Sequence, residues 1–195
     1  MYLITSVLHF PPVDQATEEG LLAIGGDLSH ERLLLAYNNG IFPWSDPHEP
    51  ILWWAPAERM VVDPHNYKVP KSLRNIINRN LFEVTINKDF GAVIVNCQKI
   101  ARKDQEGTWI STDVVNAYNK LHKLGKAMSF EVWQEGKLVG GLYGVDLGHV
   151  FCGESMFSKV PNASKVAFVK LIEYLKQNNK PGALTNDIFV EKYIP

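Results

Sequence analysis

Residues 127–155, AMSFEVWQEGKLVGGLYGVDLGHVFCGES, decide the fold. They read as three strands, Ala127–Gln134, Lys137–Val145 and His149–Ser155, each rich in β-branched and aromatic residues. Glu135-Gly136 and Asp146-Leu147-Gly148 supply the turns, so the three form an antiparallel meander. Gly140-Gly141 inside the second strand predicts a bulge or a close backbone approach.

Helices flank this meander. On its C-terminal side Ala163 to about Asn178 carries Val166, Val169, Ile172 and Leu175 at helical spacing. On its N-terminal side Ser111 or Thr112 caps a helix bearing Val115, Tyr118, Leu121 and His122, closed by Gly125. Before that, Asp89 caps a helix through Val93, Ile94, Cys97 and Ile100, and Phe82–Asn87 alternates like a strand. Pro70 opens a short basic helix that reaches about Asn80. The whole is an α+β arrangement of helices on a mostly antiparallel sheet, from about residue 64 to 195.

Residues 1–63 have a different texture. They are irregular, rich in Pro, Gly and Trp, and read as a small separate domain. Ser29 caps a helix to about Asn39 with Leu33, Leu34 and Tyr37 on its apolar side, and Gly40 ends it. Trp44, Trp53 and Trp54 fall within eleven residues; a small aromatic core accounts for two of them, and a pocket wall is the other use of such a cluster.

Charge divides along the same line. The first 63 residues hold two positive and nine negative side chains, while the remainder holds 18 and 12. From His65 to Asn80 there are Lys68, Lys71, Arg74 and Arg79 and no acid, which opens the question of a polyanionic partner despite a net charge of −1.

Composition excludes several classes. With 46% apolar and 21% charged residues the chain is neither disordered nor collagenous. No apolar run approaches the roughly 20 residues of a membrane span. Met1–Asp14 has no Lys or Arg and two prolines, unlike a secretory leader, so a cytoplasmic protein is expected. The six histidines show no metal-ligand spacing, and Cys97 and Cys152 stand far apart, so neither a metal nor a disulfide framework is predicted. No phosphate-binding glycine loop is present, and Gly153-Glu154-Ser155-Met156 does not match a serine nucleophile elbow. Glu154 is the exception to this blank record. It follows Val150, Phe151 and Cys152 and precedes Met156 and Phe157, and a carboxylate among such neighbours is either paired or functional.

Seven motifs, in order, carry a resemblance: Gly20-Leu-Leu-Ala-Ile-Gly-Gly-Asp27-Leu-Ser, Gly40-Ile-Phe-Pro-Trp44, Pro50-Ile-Leu-Trp-Trp54, Gly107-Thr-Trp-Ile110, Leu138-Val-Gly-Gly-Leu-Tyr-Gly-Val145, Phe151-Cys-Gly-Glu-Ser-Met-Phe-Ser158 and Asn162-Ala-Ser-Lys165. From about Phe10 to Lys180 the chain resembles the leucyl/phenylalanyl-tRNA–protein transferases. The resemblance implies a small N-terminal domain followed by a GNAT-like (acyl-CoA N-acyltransferase superfamily) layered α/β/α domain. It implies transfer of Leu or Phe from aminoacyl-tRNA to proteins with N-terminal Arg or Lys, marking them for degradation, with no cofactor.

By motif position Leu142, Phe151, Met156 and Leu171 would form the pocket for the donor side chain. Methionine suits a pocket that accepts a branched and an aromatic group, so Met is expected as a weaker donor and β-branched Ile and Val as poor ones. Trp109, Trp53 and Trp54 would stack on or border the terminal adenosine. Lys68, Lys71, Arg74 and Arg79 would meet the tRNA backbone. Glu154 would orient the donor's ammonium or attract the basic acceptor.

One departure matters. Family members continue after the last helix into a strand with an Asp-x-Gln motif, whereas here Lys180-Pro181 runs into Gly182-Ala183-Leu184, and Asp187 stands in another context. The expectation is a segment missing from the sequence between Lys180 and Gly182; the alternative is a true deletion, leaving a tRNA-binding protein with impaired catalysis. A CoA-dependent N-acetyltransferase is a further alternative, set against by Pro161-Asn-Ala-Ser164 where such enzymes carry a glycine-rich pyrophosphate loop.

Overall fold

Glu135 and Gly136 both take positive φ, 51° and 70°. Those are the angles of a two-residue I′ turn, whose twist matches the strands it joins. That hairpin is the centre of the structure, a computed structural model that describes residues 2–100 and 108–185. In chain order the elements are β1 (Tyr2–Ile4), β2 (Leu21–Gly25), α1 (His30–Asn38), β3 (Phe42–Pro43), β4 (Leu52–Trp54), β5 (Met60–Val62), α2 (Lys71–Asn78), β6 (Glu83–Ile86), α3 (Phe90–Lys99), α4 (Thr112–Lys123), β7 (Ala127–Gln134), β8 (Lys137–Asp146), β9 (Val150–Ser158), α5 (Ala163–Gln177) and β10 (Gly182–Thr185). The chain divides into two compact units, Met1–Arg59 with Ala101–Leu121, and Met60–Ile100 with His122–Pro195.

The larger unit holds a six-stranded sheet in the order β5-β10-β9-β8-β7-β6. β10 and β9 run parallel, and the other neighbours run antiparallel. Two adjacent glycines of β8 show that helices cover both faces. A Cβ on Gly140 would meet Ala163 of α5 at 2.5 Å, and one on Gly141 would come 3.4 Å from Val93 of α3. Neighbouring residues of a strand face opposite ways, so α5 and α3 lie on opposite sides. Both parts of the Gly140-Gly141 expectation hold, because β8 also bulges at Val139 against Val132 and Trp133. The main core lies under α5, where Phe130, Val132, Leu142, Phe151, Ala167, Leu171, Ile172 and Leu175 are buried.

The smaller unit contains a four-stranded sheet, β1-β2-β4-β3. The sequence reading of this region as irregular is corrected here. Its strands are two to five residues long, too short for alternation to show. Ser29 caps α1 by accepting from the Arg32 amide at 3.4 Å, and Gly40 leaves the helix at φ 74°. Arg32 is 1% exposed and replaces the expected Leu34 on the buried side, its guanidinium donating to the carbonyls of Thr5 and Val7 and to Asp27. Of the three clustered tryptophans only Trp53 is core: it is fully buried, donates to Gly25 O at 2.8 Å and meets Phe10 edge-on. Ser111 is the cap of α4, accepting from Val114 N, and Tyr118 on that helix bonds Tyr37 hydroxyl to hydroxyl.

A short connection leads from α5 into the last strand. The Lys180 amide donates to Leu175 O at 2.9 Å, and two residues later Gly182 pairs with Val150. β10 occupies the place between β5 and β9 that would otherwise leave two strand edges open. Lys180 is pinned there by Asp146 at the end of β8, with Nζ 2.5 and 2.6 Å from the two carboxylate oxygens. Asp187 and Gly107 lie outside the described residues.

Candidate active site

β9 departs from regular pairing at one point. Met156 faces Leu142 and Ser155 faces Tyr143, but the next pair is Gly153 with Gly144. Glu154 therefore has no residue across from it and is the extra residue of a bulge. It is 4% exposed. On the other side of β9 the parallel pairing with β10 runs from Val150 to Gly153, the residue just before it. A buried carboxylate thus sits where the β8–β9 ladder is interrupted.

The bulge has a second effect. In an unbroken strand Phe151 and Met156, five residues apart, would face opposite sides. The inserted residue restores them to one side, and both join Leu142 and Leu171 in the apolar cluster under α5. All four sequence-predicted pocket residues are brought together, with Met156 the most exposed at 9%. The four form packed core in this structure, 0–9% exposed, and Glu154, 4% exposed, lies on the same strand as Phe151 and Met156.

The basic residues are placed elsewhere in the same unit. Lys71 and Arg74 lie on α2, Arg79 caps its C-terminus, and Lys68 precedes it; all four are exposed. The buried face of that helix is held by Leu73.

In the smaller unit Trp109 is 8% exposed and lines a cavity of about 330 Å³ with Gly26, Asp27, Asp46, Glu49, Asp113 and neighbouring residues. Four carboxylates line it, and among the described residues no cation does. The Ser29 hydroxyl, and after it the Ser29 amide and Arg32, hold the Asp27 carboxyl below its ordinary value against the opposing effect of burial. Trp54 is half-buried, donates to Trp44 O and packs edge-on with Trp44 at 5.8 Å. Trp53 is corrected as a stacking residue, because a fully buried indole presents no face to an adenine. Trp44, 37% exposed, is the aromatic the motif reading passed over.

A second buried carboxylate was missed as well. Glu131 is completely buried and accepts from Ser129 Oγ, Thr85 Oγ1 and the Asp89 amide, at 2.6, 2.7 and 3.3 Å. Its alternation with Phe130 puts it on the face opposite the apolar cluster, where it ties β6, β7 and the start of α3 together. A lone acid in the middle of AMSFEVWQ is the signal that marks it.

The larger unit is a mixed six-stranded sheet with helices on both faces, and the smaller unit is assembled from two separate stretches of the chain. A family model described as leucyl/phenylalanyl-tRNA protein transferase matches residues 61–183, and one for the N-terminal domain of the same enzymes matches residues 26–57. Relatives of that name in Flavobacterium johnsoniae and Flavobacterium psychrophilum are 61% and 58% identical, over 92% of this chain and 84% and 85% of theirs. A conserved protein of unknown function from Bacteroides thetaiotaomicron superposes with a TM-score of 0.51 at 14% identity, over 87% of this chain and 61% of that one, a likeness of fold. The chain belongs to the leucyl/phenylalanyl-tRNA–protein transferase family, aminoacyltransferases that use aminoacyl-tRNA as donor and proteins as acceptors. Among the described residues no helix is long and apolar enough to cross a membrane.

Proposed function

We propose that this chain transfers Leu or Phe, and Met less readily, from aminoacyl-tRNA to the α-amino group of proteins beginning with Arg or Lys, marking them for degradation. The observation that supports this reading is the bulge of β9, which brings Phe151 and Met156 to the face of Leu142 and Leu171, with the buried Glu154 as the inserted residue.

The chemistry asks little of the protein. The α-amino group of the acceptor has a reference pKa of about 7.7–8.0, so a useful fraction is neutral near pH 7.5. Its nitrogen attacks the ester carbonyl, the carbon–nitrogen bond forms, and the bond to the ribose oxygen breaks. One proton leaves the nitrogen and one reaches the leaving oxygen. Positioning and charge stabilisation supply the rate. The apolar cluster would hold the donor side chain, and Glu154 would bind the donor's ammonium or the cationic acceptor. Lys68, Lys71, Arg74 and Arg79 would follow the tRNA backbone, while Trp109 and Trp54 would border the terminal adenosine. The acidic cavity around Trp109 suits a cationic group and not a phosphate.

A second reading has its own observation. The Asp-x-Gln that the resemblance implies after the last helix does not occur in Gly182–Thr185, so a chain that binds tRNA and transfers poorly is the alternative. Incubation with Leu-, Phe- or Met-tRNA and a peptide beginning with Arg separates the two. Mass spectrometry showing one added residue supports transfer. Tight tRNA binding without any added residue supports the alternative, and addition of an acetyl group from acetyl-CoA would overturn both.

A further inference from the structure

Gly144 stands across from the bulge, and its missing side chain is what the bulge is built around. A Cβ at this position would lie 2.2 Å from the carbonyl oxygen of Cys152 and 2.6 Å from both Cε1 and Cζ of Phe151. Contacts that short do not occur, so no residue with a side chain fits without displacing its surroundings. The Phe151 ring therefore rests against the Gly144 backbone, at the greatest depth the strand allows.

We propose that Gly144 is the positioning residue for donor selection, acting through Phe151 and through the backbone that leads into Glu154. The inference rests on the reading that Leu142, Phe151, Met156 and Leu171 receive the donor side chain. Phe151 is fully buried and belongs to that cluster, so a ring displaced from Gly144 presses on its neighbours there. A methyl group at 144 pushes it there and takes volume from the larger donor first. The same methyl group presses on the Cys152 carbonyl, two residues before Glu154, and slows transfer of every donor.

The test compares wild type, Gly144→Ala, Phe151→Leu and the double variant, with Phe-tRNA and Leu-tRNA as donors and an Arg-initiated peptide as acceptor. Gly144→Ala is expected to lower kcat/KM for both donors and to shift the Phe to Leu ratio against Phe by at least about tenfold, the scale of a methylene misfit in an apolar pocket. Phe151→Leu removes the ring atoms that the methyl group meets. It should raise the ratio alone and return it toward the wild-type value in the double variant. A purely structural role for Gly144 would lower both donors in parallel and leave the ratio unchanged, and that outcome overturns the proposal. Should Gly144→Ala not fold, the Cys152 carbonyl is the decisive contact, and Phe151→Leu alone carries the test: an unchanged Phe to Leu ratio in that variant overturns the proposal. Calorimetric binding of amide-linked phenylalanyl- and leucyl-adenosine gives the same ratio without turnover. Wild type that neither transfers nor binds these analogues refutes the functional reading itself. Wild type that is active, with variants of unchanged ratio, refutes this inference alone.

Discussion

Replacing Lys180 by Met removes the cation from a buried ion pair and leaves its partner in place. Lys180 and Asp146 have side chains only 11% and 12% exposed, so water cannot take over the lost contact. Stranding one member of such a pair costs about 3–5 kcal/mol, whereas exchanging both for apolar groups of similar volume is often neutral. Here the exchange is not quite neutral, because Asp146 Oδ1 also accepts the Gly148 amide at 2.9 Å. Losing that bond costs about 1 kcal/mol. Lys180→Met should therefore lower stability by about 3–5 kcal/mol, or Tm by about 6–20 °C at the 2–4 °C per kcal/mol expected for this length. Asp146→Leu should cost as much or slightly more. The double variant should recover to within about 1 kcal/mol of wild type. Urea unfolding of the four proteins, followed by far-UV circular dichroism, closes the cycle. Single variants costing under about 1 kcal/mol, or a double variant equal to their sum, would show the pair to be a solvated surface contact and the reasoning wrong.

Charge reversal at Arg74 and Arg79 should raise KM for aminoacyl-tRNA with little effect on a short aminoacyl-adenosine donor, and each lost phosphate contact should reduce the salt slope by about 0.7–0.9; equal effects on both donors would remove α2 from the RNA interface. Glu154→Gln should keep the fold by circular dichroism and lower kcat/KM, and full activity would make Glu154 a structural residue. Met156→Ala should cost about 2–5 kcal/mol divided between stability and donor binding, read from melting and from KM for Leu- and Phe-tRNA. The Asp27 carboxyl is held below its ordinary value of 3.8, so its contribution is present above that pH and is lost as the pH falls below it. Asp27→Asn should therefore be less stable than wild type at neutral pH and show a shallower loss on acidification, and a Tm difference independent of pH would refute the assignment.

The larger unit was legible because its elements are long. Strands of eight to ten residues and a 15-residue helix repeat their pattern often enough to be read, and the two-residue turn at Glu135-Gly136 announces itself. The bulge at Glu154 was hidden for the opposite reason. Alternation cannot reveal a single inserted residue when both faces of β9 are apolar, as Phe151, Cys152, Met156 and Phe157 are. In the smaller unit Arg32 defeated the reading of α1, because two of its three acceptors are backbone carbonyls more than 20 residues away, which nothing local signals. Trp53 and Trp54 are adjacent in sequence and differ completely in environment, since neighbouring residues of a strand point to opposite faces.

β10 has a consequence for how this chain can drift. Its hydrogen bonds to β9 and β5 are made by peptide groups, which every sequence possesses, and its residues Gly182 and Ala183 contribute almost no side chain. A different stretch of polypeptide of sufficient length can therefore be threaded into that slot and leave the sheet closed. Folding and chemistry are uncoupled at this one strand: selection against unfolded or aggregating protein is blind to what the strand carries, and only selection on the reaction itself can hold an acid or an amide there. On such a protein a melting curve and a transfer assay would report different properties.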